Sequence, residues 1–400
     1  MLAAVRAAGY VAPTPIQACA LAPALAGHDV IGSAQTGTGK TAAFMIPVVE
    51  RLRAARADGE AASALVLAPT RELAEQILGW AERLGCGLRP ALVVGGVAYG
   101  PQLHALRNQP AIIVATPGRL VDHLERGTVC LKSVRILVLD EADRMLDMGF
   151  KPQLDRIMRA VPTARQTLLF SATLPSDIGT LPGVRVHNAI RVAVGPQAVP
   201  PHRAIQDVYL VGREQKTPLL LSLIEANTGK LLVFTRTKHR TDRVARAVRG
   251  AGHAAQCLHS GRSQSQRREA LNGFRTGRYR ILIATDIAAR GIDVASVRRV
   301  INYDLPQTAE DYVHRVGRTA RADADGHASS LAAPEERAQL HAIERHIGRP
   351  LPRQSHDSTA IVSPVMTTAK EVRHAPETRS LPSRSYARAG DARPRRVRRG

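Results

Sequence analysis

AQTGTGKT, residues 34–41, follows a short apolar run at Val30 and Ile31. It precedes an Ala-rich segment that reads as a helix from Thr41 to about Arg56. A strand, a glycine-containing loop, Lys-Thr and a helix, in that order, form a cradle for a triphosphate. Gly37 and Gly39 let the backbone turn its N–H groups inward, where a side chain would block the phosphates. Lys40 can reach β- and γ-phosphates, and the Thr41 hydroxyl can ligate Mg²⁺. The helix N-terminus adds a favourable dipole. Ala34 stands where the usual pattern begins with glycine, so a plain Gly-rich turn ahead of a helix is the competing reading.

Outward from the loop, the motifs recur at the ends of short apolar runs. Residues 64–68 read as a buried strand, followed by Pro69, Thr70 and Arg71; residues 111–115 read likewise, followed by Thr116, Pro117, Gly118 and Arg119. Each pairs a hydroxyl with an arginine at a helix start, a setting that binds phosphates through N–H groups, hydroxyls and guanidinium. Gly95 and Gly96 after residues 92–94 offer a close backbone approach. Singly, each is also a capped helix start; three on one sheet edge suggest a phosphodiester track. Residues 134–139 are the clearest buried parallel strand, and Asp140, Glu141, Ala142 and Asp143 end it. Asp140 can hold Mg²⁺, and Glu141 can orient or deprotonate an attacking water. Residues 166–170 form a further strand ending at Ser171, Ala172 and Thr173. Upstream, Gln17 in the Pro13–Gln17 stretch PTPIQ can pair with donor and acceptor on an adenine edge, or be a surface amide.

A second alternation of strands and helices begins after a Gly/Pro-rich linker. Residues 231–234, 254–258, 281–284 and 300–303 read as strands. This half has no phosphate loop. It has arginines, and Arg315 and Arg318 lie three apart, so they share a face if that segment is helical. Such a pair could reach a γ-phosphate held by the first half, or be a solvated basic face. Strands alternating with helices imply doubly wound parallel sheets, whose ligands gather at the carboxyl ends of the strands.

Composition sets the limits. Four hundred residues with 44% hydrophobic content suffice for two or three cores. No membrane-spanning run is present, and the N-terminus is too short and too quickly polar for a signal peptide. Four scattered cysteines suit a reducing, cytoplasmic setting and offer no zinc motif. The net charge of +22 points to a polyanion such as nucleic acid, while 3% aromatics disfavour base-stacking modules and favour backbone contacts.

These residues together resemble a DEAD-box ATP-dependent RNA helicase of superfamily 2, from about Gly9 to about Pro352. Residues 9–17 resemble the Q motif, 34–41 motif I, 69–74 motif Ia, 116–119 motif Ib, 140–143 motif II and 171–173 motif III. In the second half, residues 233–238 resemble motif IV, 284–293 motif V and 314–321 motif VI. The text around Tyr312 and the basic tail are most like the bacterial RhlE-type branch. The resemblance implies an α/β fold of two tandem RecA-like domains, each a mostly parallel sheet flanked by helices. It places an ATP-binding domain at 1–194, a linker at 195–204, a C-terminal helicase domain at 205–352 and a disordered basic tail at 353–400.

It also implies site roles. Gln17 would read adenine; Ala34, Gln35, Thr36, Gly37, Thr38, Gly39, Lys40 and Thr41 would hold the phosphates of ATP, with Thr41 and Asp140 on Mg²⁺. Lys40, Glu141, Arg315 and Arg318 would be catalytic, the arginines as fingers, and Asp293 would contact the ribose. Pro69, Thr70, Arg71, Gly96, Thr116, Gly118, Arg119, Thr285 and Asp286 would lie along the RNA backbone. The family aromatic upstream of the Q motif has no counterpart after Met1, so weaker nucleotide binding or a longer natural start is expected. Ala320 replaces a glycine of motif VI, Ser260-Gly261 replaces Gly-Asp or Gly-Asn, and residues 181–183 should interrupt a helix. The tail, ending in Arg393, Arg395, Arg396, Arg398 and Arg399, would add salt-sensitive RNA affinity or serve as a passive solubiliser. An ATP-gated RNA clamp and a DNA translocase are the alternative functions.

Overall fold

The structure, a computed structural model, describes residues 1–34, 38–84, 87–171, 184, 186–194, 204–289, 297–319 and 326–355. Several expectations fall outside these residues: Gln35, Thr36, Gly37, Ala172, Thr173, the interruption at 181–183, the linker 195–204 except Ala204, which instead opens a strand, Asp293, Ala320, Arg321 and the tail beyond 355.

The first lobe runs α1 (Leu2–Ala7), α2 (Pro15–Leu25), β1 (Val30–Ser33), α3 (Lys40–Ala57), β2 (Ser63–Leu67), α4 (Arg71–Leu84), β3 (Pro90–Val93) and α5 (Tyr99–Arg107). It continues with β4 (Ile112–Ala115), α6 (Pro117–Glu125), β5 (Val134–Asp140), α7 (Ala142–Asp147), α8 (Lys151–Ala160), β6 (Gln166–Ser171) and β7 (Ile190–Ala193). Its strands form one parallel sheet in the order β3-β4-β2-β5-β6-β1-β7. The central strands are apolar on both faces because helices cover both. Alternate residues divide between two cores: Ala64 and Val66 face α2, α3 and α4, whereas Leu65 and Leu67 face α6, α7 and α8.

The second lobe runs β8 (Ala204–Leu210), α9 (Lys216–Glu225), β9 (Lys230–Phe234), α10 (Lys238–Gly250), β10 (Ala255–Leu258), α11 (Gln264–Thr276), β11 (Ile281–Ala284) and α12 (Asp286–Ala289). Then follow β12 (Val297–Asn302), α13 (Ala309–Val316), β13 (Gly326–Ala332), α14 (Arg337–Ile347) and β14 (Arg353–Gln354). Its sheet is again all parallel, in the order β10-β11-β9-β12-β13-β8-β14. Leu232, Phe234 and Leu282 belong to one core with α11, α13 and α14; Leu231, Val233 and Ile283 belong to the other with α9 and α10.

Four strands carry no apolar run in the sequence. β7 is an edge strand with only Val192 buried. β8 and β13 bury polar residues with partners: Gln206 accepts from the Tyr312 hydroxyl at 3.0 Å, and Asp207 meets His327 at 2.7 Å. β14 pairs with β8 at Val208 and Tyr209, so the sheet continues past the boundary expected after Pro352. Among the described residues no helix is long and apolar enough to cross a membrane.

Candidate nucleotide and RNA site

β1 delivers the phosphate loop. Ala34 donates its N–H to the Ser171 carbonyl at 3.2 Å, tying the loop to the end of β6. Gly39 is the N-cap of α3 with φ 93°, a left-handed conformation that glycine adopts without strain. A Cβ there would also strike the Gln17 amide and the Thr14 hydroxyl. Gln17 is buried beneath the loop: its Oε1 accepts from the Thr14 N–H at 3.0 Å and its Nε2 donates to the Gly39 carbonyl at 3.1 Å. One amide hydrogen and one lone pair remain for a base edge. Lys40 Nζ donates to the Ala34 carbonyl at 2.7 Å, so the ammonium folds back onto the loop. Thr38 and Thr41 are half-buried on either side of it.

β5 ends at Asp140, which is 3% exposed and whose Oδ1 has no hydrogen-bond partner among the described residues. Burial pushes its carboxyl up to about 7; the Lys40 ammonium opposes the rise and Glu141 adds to it. Glu141 has φ 52° and ψ 51°, a left-handed conformation costly for a residue with a Cβ. Its carbonyl receives the N–H groups of Arg144 and Met145, which hold the strained joint between β5 and α7. The Ser171 hydroxyl at the end of β6 is likewise buried without a described partner.

The second lobe brings α13 to this place. Arg315, in its last turn, is 2% exposed. Its Nε and Nη2 fork onto Asp286 at 2.5 and 2.7 Å, and its Nη1 donates to Asn302 Oδ1 at 3.1 Å and the Asp304 carbonyl at 2.7 Å. Every nitrogen of that guanidinium is therefore engaged within its own lobe. Arg318 does not share a helix face with it: α13 stops at Val316, Gly317 caps it, and Arg318 turns back to donate its N–H to the Arg315 carbonyl. His314 is held far below the usual imidazole range, to about 3, by burial and then by Arg144, with Arg318 and Lys40 adding and Asp143 opposing. Charges of both lobes thus converge on one ring. Beside it, Arg144 Nη1 meets Asp311 Oδ1 at 2.8 Å, a buried ion pair across the lobes.

The expected RNA track lies along the strand ends. Pro69 and Thr70 follow β2, and Thr70 Oγ1 accepts from the Leu73 N–H at 3.3 Å. The Arg71 guanidinium occupies the space where a Cβ on Gly96 (φ 71°) would stand, so only glycine permits that approach. Thr116 is the N-cap of α6 with its hydroxyl making no cap bond, and Gly118 faces open space. Arg119 donates to the Val97 carbonyl at 3.2 Å. Since β3, β4 and β2 are neighbours, these groups share one edge. Thr285 follows β11 on the corresponding edge of the second sheet, whereas the Asp286 carboxylate is committed to Arg315.

Both halves match family models: the DEAD/DEAH box helicase over residues 14–181 and the helicase conserved C-terminal domain over residues 215–323. The ATP-dependent rRNA helicase RRP3 of Debaryomyces hansenii is 44% identical over 366 residues, 90% of this chain and 76% of that protein. The chain belongs to the DEAD-box family of ATP-dependent RNA helicases. This DEAD-box helicase is also 44% identical over 359 residues to RRP3 of Saccharomyces cerevisiae, covering 88% of the chain and 71% of that protein. Among solved structures it resembles the DEAD-box helicase Mss116 bound to ssRNA and UDP-BeF, with a TM-score of 0.81 at 26% identity over 89% of this chain and 78% of that one. S. cerevisiae Dbp5 bound to RNA and ADP BeF3 gives a TM-score of 0.79 at 31% identity over 90% and 94%.

The DEAD-box motifs were visible in the sequence; the residues that support them were not. Gln102 on α5 accepts from the Val94 N–H, and its Nε2 lies 3.1–3.3 Å from the Val94, Val97 and Ala98 carbonyls, clamping the Gly95–Gly96 turn. Glu72 and Arg267 form a second buried interlobe pair at 2.8 Å, and Glu75 meets Arg268 at 2.6 Å. A lone glutamine or acid on a helix carries no local mark of such a partner.

Proposed function

We propose that this DEAD-box helicase hydrolyses ATP to ADP and phosphate where its two lobes meet, and holds RNA by its backbone along the strand-end edges. Closure of the lobes then opens short duplexes locally. The observation that carries this reading is the seam at the acidic turn, where Arg144 pairs with Asp311 across the lobes at 2.8 Å and the neighbouring His314 lies in the field of Lys40 of the phosphate loop and Arg318 of the second lobe. Neither lobe alone supplies both cations.

Lys40 would exchange the Ala34 carbonyl for the β- and γ-phosphates. Glu141 would take the proton of the water that attacks the γ-phosphorus, and ADP would leave. Arg318 is the better candidate for the finger that meets charge developing on the γ-phosphoryl group. Arg315 would act through Asp286 by holding the end of α13 in place. Gln17 would offer its remaining donor and acceptor to adenine, and Asp293 would contact the ribose. Asp140 and Thr41 would hold Mg²⁺, which neutralises charge on the β- and γ-oxygens. The fit rests on Asp140: a buried carboxylate oxygen without a partner among the described residues is favoured as an anion once a divalent cation joins it.

ATP turnover with RNA or DNA added, together with displacement of a short RNA duplex with and without ATP, tests the proposal. Stimulation by RNA and ATP-dependent displacement are expected. RNA-stimulated turnover without displacement would instead indicate an ATP-gated clamp, and equal stimulation by DNA would indicate a DNA translocase.

A further inference from the structure

The helix α10 carries five Lys or Arg residues and a single Asp in thirteen residues. Its buried face is Thr241, Val244, Ala245 and Val248, packed on the second sheet. The opposite face exposes Lys238, His239, Arg243, Arg246 and Arg249. His239, Arg243 and Arg246 follow the i, i+4, i+7 spacing of one helical stripe, and Lys238 and Arg249 flank it. Among the described residues the stripe has no ion-paired counter-charge. Asp242, the helix's one acid, is bound by His259 at 3.1 Å and by Arg262 at 2.6 Å. Arg240, the remaining cation, points elsewhere and pairs with Asp304 at 2.6 Å. Lys238, Arg243, Arg246 and Arg249 form no ion pair among the described residues.

The position of the helix gives this charge a direction. α10 begins directly after β9, whose neighbours are β11 and β12, and β11 leads to Thr285 on the expected RNA edge. The stem of Lys238 lies beside Gly261, at the end of β10 on that same edge. From there to Arg249 the helix runs about 16 Å at about 1.5 Å per residue. Uncompensated like charges on one rod repel each other, and the arrangement is relieved by a polyanion laid along it. On the reading that this edge holds RNA, we infer that α10 is an outer RNA-binding surface: Arg243, Arg246 and Arg249 hold the phosphates of the strand after it leaves the cleft. The contacts are with phosphate alone, so they add affinity and length preference without sequence preference.

The test is RNA affinity against salt for Arg243→Gln/Arg246→Gln/Arg249→Gln in the full chain, using two poly(U) strands. One is the shortest that fully stimulates ATP turnover; the other is much longer. For the long strand the triple variant is expected to lose about 2 from the slope of log affinity against log salt, since each single-strand phosphate contact contributes about 0.7. Its slope on the short strand and its maximal turnover should match the unaltered protein. A control, Arg53→Gln/Arg56→Gln/Arg159→Gln, removes equal charge from exposed helix positions of the first lobe. An unchanged long-strand slope, an equal loss on both strands, or an equal loss in the control would overturn the assignment. Failure of the helicase reading itself would look different, because RNA would then stimulate no turnover in the unaltered protein.

Discussion

At the scale of single residues, the two arginines that look alike in the sequence have different surroundings. Arg315 is locked by Asp286, Asn302 and the Asp304 carbonyl. Removing it strands a half-buried carboxylate; a fully buried pair costs about 3–5 kcal/mol to break, and the partial exposure of Asp286 brings the cost to the low end of that range. Arg315→Ala should therefore lower the thermal midpoint of the second lobe markedly, which differential scanning calorimetry reads directly. Arg318→Ala should leave ATP affinity nearly intact and slow turnover by about 10³ or more, the scale of a finger on a transferring phosphoryl group. A loss under tenfold would remove Arg318 from that role. His314 adds a pH signature. Burial of the ring opposes its protonation first, Arg144, Arg318 and Lys40 add to this, and only Asp143 favours it. Its folded-state pKa lies below the unfolded value, so its contribution to stability is complete above about 6.5 and is lost as pH falls towards about 3. The loss is at most about 1.4 kcal/mol per pH unit. His314→Asn should flatten the fall in unfolding free energy between pH 6 and pH 4 by up to one proton's worth, measured by denaturant titration at each pH.

At the scale of elements, what could be read in advance was whatever a short stretch encodes by itself. β2, β4, β5 and β11 are runs of buried aliphatics, and the loop between β1 and α3 announces itself by Gly39, Lys40 and Thr41. β8 and β13 escaped because their polar residues are satisfied only by partners far along the chain, Gln206 by Tyr312 and Asp207 by His327. The α5 clamp escaped for the same reason, since Gln102 is meaningful only once it faces the turn at Val94–Ala98. Gln102→Leu keeps the bulk of the side chain but leaves the buried Val94 N–H and carbonyl unpaired, and each such group costs about 1–3 kcal/mol. The turn that brings Gly96 against Arg71 should loosen. The KM for RNA in stimulated turnover should rise about tenfold or more, the equivalent of one such loss, while ATP affinity without RNA stays unchanged. An equal fall in ATP affinity would mean that the lobe as a whole had been damaged.

At the scale of the whole molecule, the two lobes meet through charge and not through a shared core. Each of the four apolar clusters draws its residues from one lobe only. Among the described residues, the contacts that cross between them include Arg144 with Asp311, Glu72 with Arg267, and Glu75 with Arg268 and Gln264. An apolar seam would make separation costly because it exposes hydrocarbon to water; paired ions regain hydration when they part, so opening and closing stay nearly balanced. A near-balanced equilibrium is one that ATP and RNA can tip with modest differential affinity. The Arg144–Asp311 pair sits beside His314, next to the acidic turn, a position from which closure would couple to the nucleotide. Asp311→Asn retains the side chain that receives the Thr308 hydroxyl but removes the charge that Arg144 meets. Fluorescence transfer between labels on the two lobes should show a smaller closed fraction with ATP and RNA bound, and RNA-stimulated turnover should fall in step. ATP affinity without RNA should change little, since the phosphate loop belongs to the first lobe. The exchanged pair Arg144→Asp/Asp311→Arg should recover part of the closed fraction. If Asp311→Asn closes as the unaltered protein does, the balance lies in the Glu72 and Glu75 contacts, which the same measurement on Arg267→Gln and Arg268→Gln would reveal.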